Sequence, residues 1–153
     1  MAASGLRSVG GVAAARTAIR ESPVRPRILL VDDLHHVREA LAEVLRLAGY
    51  HVVAVDGGAA ALAVIEEEGT DLLLTDLYMP EMTGWDLARA VRDRKATNAR
   101  GLPLCVGLYS AVLSGLEREQ LARAHVDFVV TKLSDPRVIL ETIERALAWS
   151  EVD

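Results

Sequence analysis

Five polar side chains stand at or just past the ends of apolar runs. Asp32 and Asp33 close "RILLVDD", Asp76 follows "LLLT", Ser110 comes shortly after "LPLCVGL", and Lys132 shortly after "VDFVV". Singly, each has an ordinary explanation: an aspartate after a strand often caps the next helix, and a loop serine or lysine is usually solvated. As a set they suggest chemistry. Three carboxylates brought together repel one another and resist burial unless a cation lies among them. All-oxygen ligation with room for water suits Mg²⁺, which takes few protein ligands and keeps several waters. A lysine and a hydroxyl at the same place add a counter-charge and a hydrogen-bond donor. That combination fits phosphoryl transfer, with metal and lysine neutralising phosphate oxygens and a carboxylate as nucleophile. The chain has neither a G-x-x-x-x-G-K-[ST] loop nor a G-x-G-x-x-G after a strand, so a nucleotide cradle is not indicated.

For these residues to meet, the elements between them must return the chain repeatedly to one edge. "RILLVDD" reads as a strand buried on both faces. Apolar positions Val37, Leu41, Val44, Leu45 and Ala48 predict an amphipathic helix that Gly49 ends. "HVVAV" is a second strand, followed through Gly57-Gly58 by an Ala-rich helix closing on three solvated glutamates, Glu66 to Glu68. "DLLLT" is a third strand, and "GWDLARAVRDR" a third helix, with Thr83 and Asp86 spaced for a capping box. "LPLCVGL" and "VDFVV" give two more strands, with helices over Leu113 to Ala124 and from Pro136 onward. Five strand–helix units predict an α/β fold, a doubly wound five-stranded parallel sheet with helices on both faces. Its strands would share one C-terminal edge, where ligands bind near the reversal in strand order.

Composition is compatible with that fold and excludes other classes. The chain has 153 residues, 51% of them hydrophobic and 25% charged. No apolar run approaches the ~20 residues that span a bilayer, so no membrane role is expected. The net charge of −5 argues against direct DNA binding through a broad basic field. It divides into +3 for residues 1–26, with four arginines and one glutamate, and −8 for the rest. Residues 1–26 resemble transit peptides in being rich in Arg and Ser, but read more simply as a flexible N-terminal extension to a domain over residues 27–150. The single cysteine, Cys105, cannot form an intrachain disulfide and reads as a buried hydrophobe in a reducing, cytoplasmic setting. His35 and His36, and the arginines of "ARAVRDRK", read as solvated.

The quoted residues also carry a resemblance. "LLVDD", "LLLTDLYMPEMTGWDL", "LYSA" and "VTK", in that order and spacing, resemble the receiver domain of two-component response regulators, in its stand-alone, chemotaxis-regulator-like form. The resemblance implies a flavodoxin-like fold and a place in a phosphorelay. Asp76 would be the phosphoacceptor, supplied by a histidine kinase or a histidine phosphotransfer protein. Asp32, Asp33, Asp76 and the Tyr78 backbone carbonyl would hold Mg²⁺. Lys132 would pair with the acceptor or its phosphate, Ser110 would bond a phosphoryl oxygen, and the signal would pass to a downstream protein. Met79-Pro80 would stiffen the turn after Asp76, and Gly84 would let it bend into the next helix.

Three positions depart from the family pattern. Leu133 stands where a proline usually follows the lysine, which would disfavour the cis bond often found there. Val129 occupies the usual site of the switch aromatic, three before the lysine, while Phe128 should face the opposite side. The bulky Tyr78, two after the acceptor, is the third. Val112 lies two after Ser110, and neither it nor Tyr78 could readily orient water, which implies a long-lived phosphoryl group. Leu133 and the absent switch aromatic keep open a second function, a receiver-like protein-binding module independent of phosphorylation. An aspartate-nucleophile phosphatase of the haloacid dehalogenase type would want a second aspartate at position 78.

Overall fold

The computed structural model describes residues 25–111 and 115–150. Its strands are β1 (Arg27–Val31), β2 (His51–Val55), β3 (Leu72–Asp76), β4 (Cys105–Ser110) and β5 (Phe128–Thr131). Between and after them run α1 (His35–Leu47), α2 (Gly58–Glu67), α3 (Gly84–Asp93), α4 (Gly115–Ala124) and α5 (Pro136–Ser150). All strands pair in parallel in the order β2-β1-β3-β4-β5. The chain steps outward from β1 to β2, then crosses back to place β3 on the other side of β1. In open sheets of this kind such a reversal marks the ligand edge, here between the ends of β1 and β3.

Alternation along the strands divides the core in two. Ile28, Leu30, Leu72 and Leu74 face α1 and α5, where they meet Leu45 and Ile143. Leu29, Leu73, Val106 and Leu108 face the other way, onto Leu87 and Val91 of α3. Every residue of β3 is buried, and each fully buried leucine contributes roughly 1.5–3 kcal/mol. The central strand, which ends on Asp76, is therefore anchored from both faces.

Several details differ from the sequence reading. The fourth strand begins at Cys105, not Leu102, and runs on to include Ser110. Leu102 to Leu104 instead fold back on the end of α3: the Asn98 side chain accepts from Leu102 N, Leu104 N donates to Ala96 O, and Thr97 bridges Pro103 antiparallel. Asp76 and Thr131 likewise belong to their strands. On α1 the buried stripe is Leu41, Ala42 and Leu45, while Ala48 is the exposed C-cap. Arg92 is not solvated. Its guanidinium reaches Leu104 O, His125 O and the Asp127 carboxylate, tying α3 to the starts of β4 and β5. The Thr83–Asp86 capping box is present in both directions. Residues 1–24 of the expected N-terminal extension, and Val112 and Leu113, lie outside the described residues.

Candidate functional site

The ends of β1 and β3 bring the carboxylates together. Asp32 directly follows β1, Asp33 succeeds it, and Asp76 is the last residue of β3. One carboxylate oxygen from each of the three lies within 4.8 Å of the others. The Asp32 side chain is 0% exposed and that of Asp76 8%, so two of the three charges are almost wholly removed from water. Asp32 is held by its own loop: Oδ1 accepts from Leu34 N at 2.9 Å, while Arg38 Nη1 donates to its backbone carbonyl at 2.8 Å. Arg38 was not singled out in the sequence, because a helix arginine gives no sign of folding back onto a strand end.

Lys132 enters from the loop after β5. Its Nζ lies 3.1 Å from Asp76 Oδ1 and 3.2 Å from Asp32 Oδ2, with the side chain 17% exposed. Its backbone N–H donates to Ser110 O at 2.8 Å, which ties the loop to the end of β4. One ammonium thus bridges two of three carboxylates. Burial holds the Asp76 carboxyl above its ordinary range, and the Asp32 charge adds to this. The hydrogen bond and charge of Lys132 and the Leu77 N–H oppose it without cancelling it. Burial pulls the Lys132 ammonium down, but its hydrogen bond and charge interaction with Asp76, joined by those of Asp32, outweigh that and leave it raised. The cluster retains excess negative charge and an all-oxygen donor set, which fits a hard divalent cation such as Mg²⁺.

The turn after Asp76 is fixed by backbone contacts. Leu77 N donates to Asp76 Oδ1 at 2.9 Å, and Gly84 N donates to Leu77 O at 2.8 Å. A Cβ on Gly84 would strike the Asp76 carbonyl, so the glycine is needed for this close approach. Ser110 is buried at the end of β4, at the same edge. Tyr78 follows in the loop and is 63% exposed, and Leu133 is 84% exposed beside the lysine. Among the described residues no peptide bond is cis. Phe128 does face away from Val129: it packs with the α1/α5 side of the core, its ring over Gly107, whereas Val129 packs with the α3 side. His35 and His36 are exposed at the start of α1, and His35 Nδ1 lies 3.1 Å from Arg38 Nη2. Val112, one of the two positions expected to govern phosphoryl lifetime, is outside the described residues.

A second residue of the site was missed in the sequence. Tyr109, next to Ser110, is 6% exposed, and Lys132 Nζ lies 5.3 Å from the centre of its ring. In the run "LCVGLYS" it reads as one more buried apolar residue. Only the pairing of β3 with β4, which sets Tyr109 beside Asp76, places it at the site.

Comparison with known proteins matches residues 28–144 to the response regulator receiver domain. The response regulator receiver protein CpdR of Brucella abortus is 51% identical over 67 residues, 44% of this chain and 56% of that protein. The response regulator protein FleR of Pseudomonas aeruginosa is 36% identical over 120 residues, 78% of this chain but 24% of FleR. The matches thus span less than two thirds of these relatives' own lengths. Among solved structures, the CheY-like receiver domain protein of Methanospirillum hungatei superposes with a TM-score of 0.74 at 27% identity, over 83% of this chain and 97% of that one. The chemotaxis protein CheY4 of Vibrio cholerae shares the fold, with a TM-score of 0.73 over 80% of this chain and 98% of its own.

Proposed function

The chain belongs to the response regulator receiver family, and from that premise we propose that it is a phosphoacceptor in a two-component phosphorelay, with Asp76 as the accepting residue. The observation that carries this reading is the meeting of the Asp32, Asp33 and Asp76 carboxylates within 4.8 Å, with Lys132 bridging two of them. A buried carboxylate at the open end of a strand is held for attack and needs counter-charge to accept a phosphoryl group.

The donor would be the phosphohistidine of a histidine kinase or histidine phosphotransfer protein. A carboxylate oxygen of Asp76 attacks the phosphorus, and the phosphorus–nitrogen bond breaks. The imidazole nitrogen leaves with the electron pair and takes up a proton, and an acyl phosphate remains on Asp76. Mg²⁺ held by Asp32, Asp33, Asp76 and the Tyr78 carbonyl would supply positive charge for the phosphoryl oxygens. Lys132 moves its hydrogen bond from the Asp76 carboxylate to the phosphoryl group, and Ser110 donates its hydroxyl to another phosphoryl oxygen. The protein thus signals as a cytoplasmic phosphoacceptor rather than turning over a substrate, and hands on its changed surface to a protein target. Among the described residues no helix is long and apolar enough to cross a membrane.

The exposed Leu133 and the valine at position 129 favour a second reading, a binding module that works without phosphorylation. One experiment separates the two: incubation with acetyl phosphate and Mg²⁺, followed by intact mass. The phosphoacceptor gains one phosphoryl group, and the gain disappears without Mg²⁺. No gain in either condition would leave only the binding module.

A further inference from the structure

Lys132 is held from more sides than its two carboxylates. Asp76 and Asp32 draw its ammonium inward at 3.1 and 3.2 Å. The Tyr109 ring lies on another side, its centre 5.3 Å from Nζ, within the ~6 Å at which a ring face attracts a cation. Both partners are well shielded from water, Tyr109 being 6% exposed and the lysine side chain 17%. The ring cannot easily withdraw. Tyr109 lies on β4 between Asp76 of β3 and Val130 of β5, and packs in the same cluster as Ile139 and Ile143 of α5. The loop carrying Lys132 is itself tied to Ser110, the residue after Tyr109.

We propose that Tyr109 is a positioning residue for phosphoryl transfer, its ring face holding the Lys132 ammonium beside the Asp76 carboxylate. The inference rests on the phosphoacceptor reading of Asp76. A lysine stem has four rotatable bonds, and the loop bearing it exposes its next residue, Leu133, by 84%. With the ring absent, the ammonium can swing toward solvent when the charge of Asp76 changes. With the ring present, the counter-charge is already where the incoming phosphoryl oxygens need it, and no ordering cost falls on the transfer step. The ring does this without adding charge, which a third carboxylate partner could not.

The test uses the full chain and compares Tyr109→Leu, which removes the ring face, with Tyr109→Phe, which keeps it. Tyr109→Met fills a similar volume should the leucine variant not fold. Proton NMR without any phosphodonor reads the position directly. The Lys132 Hε signals, assigned by difference from Lys132→Arg, should be shifted upfield by the ring current in the parent and in Tyr109→Phe, and return to the usual range in Tyr109→Leu. The rate of Asp76 phosphorylation by acetyl phosphate with Mg²⁺ should fall roughly threefold to tenfold in Tyr109→Leu and stay within about twofold in Tyr109→Phe. In a Lys132→Ala background the same leucine substitution should change nothing, because the ring acts only through the lysine. Equal slowing in both backgrounds would assign Tyr109 a merely structural part and overturn the proposal. So would an unchanged rate in Tyr109→Leu despite loss of the ring-current shift. A parent that takes up no phosphate would overturn the phosphoacceptor reading itself, and this role with it.

Discussion

The proposed acceptor role sets Asp76 conflicting demands: an attacking carboxylate must be deprotonated, yet this one sits in a place that penalises its charge. Burial and the Asp32 carboxylate hold its carboxyl above the ordinary value of 3.8, and Lys132 only partly offsets them. A folded-state value above the unfolded one means that the folded chain keeps this proton to higher pH. The group's contribution to stability is therefore greatest below 3.8 and declines as pH rises toward the folded value. Asparagine fills the same space with no charge and no proton to lose. In Asp76→Asn, phosphorylation by acetyl phosphate should be lost completely. In EDTA at pH 7, urea denaturation should find the variant at least as stable as the parent, with its advantage shrinking as pH falls toward the carboxylate range. A variant that takes up phosphate would misplace the acceptor. A parent that gains on the variant with rising pH would contradict the electrostatics of the cluster.

At the scale of elements, the corner between β3 and α3 decides where Asp76 points. Gly84 N donates to Leu77 O at 2.8 Å, and a methyl group there would meet the Asp76 carbonyl, a backbone atom that cannot step aside. Gly84→Ala should cost about 1–3 kcal/mol in urea denaturation, as overpacking does, and slow phosphorylation at least severalfold by displacing the strand end. Gly57→Ala is the control: its backbone is extended and a Cβ there meets nothing within 4 Å, so phosphorylation should stay near the parent's, and stability should fall only by the ~0.5–1 kcal/mol of a poorer helix N-cap. An unchanged Gly84→Ala would mean that the corner does not set the site. This corner was readable in the sequence, because Thr83, Asp86 and Gly84 each leave a local mark on the chain. So were the strand ends, since an apolar run that stops at a carboxylate needs no knowledge of neighbours. Leu102 to Leu104 misled, since the fold-back stitched by Asn98 buries Leu104 and leaves Pro103 exposed, a distinction that an apolar triplet does not reveal. Arg92 and Tyr109 were illegible for a different reason. Their partners are 12 to 35 residues away for Arg92 and, for Tyr109, at the end of β3 and in the loop after β5, and only the strand order brings these together.

For the whole molecule, the proposed metal site would link metal binding to folding. The chain carries a net charge of −5, and at one edge of the sheet three carboxylates face one ammonium. Lys132 pairs with Asp32 and Asp76, while Asp33, half-buried, completes the cluster. The folded state assembles these oxygens and the unfolded chain scatters them, so Mg²⁺ should bind the folded form selectively. At a hundredfold excess over its dissociation constant, such a ligand adds about 2.7 kcal/mol. For a domain of this size that corresponds to a rise of about 5–10 °C in the melting temperature. Ionic-strength screening alone would be reproduced by NaCl at matched ionic strength, whereas site binding would not. Asp33→Ala should behave in two opposed ways. Without metal it relieves repulsion within the cluster, so its melting temperature should equal or exceed the parent's. With Mg²⁺ it should gain less, by about 1.4 kcal/mol for each tenfold loss of affinity. The melting curves of the two chains should therefore converge or cross as Mg²⁺ is added. Parallel responses of parent and variant would remove Asp33 from the metal site, and a parent that answers NaCl as it answers Mg²⁺ would remove the site itself.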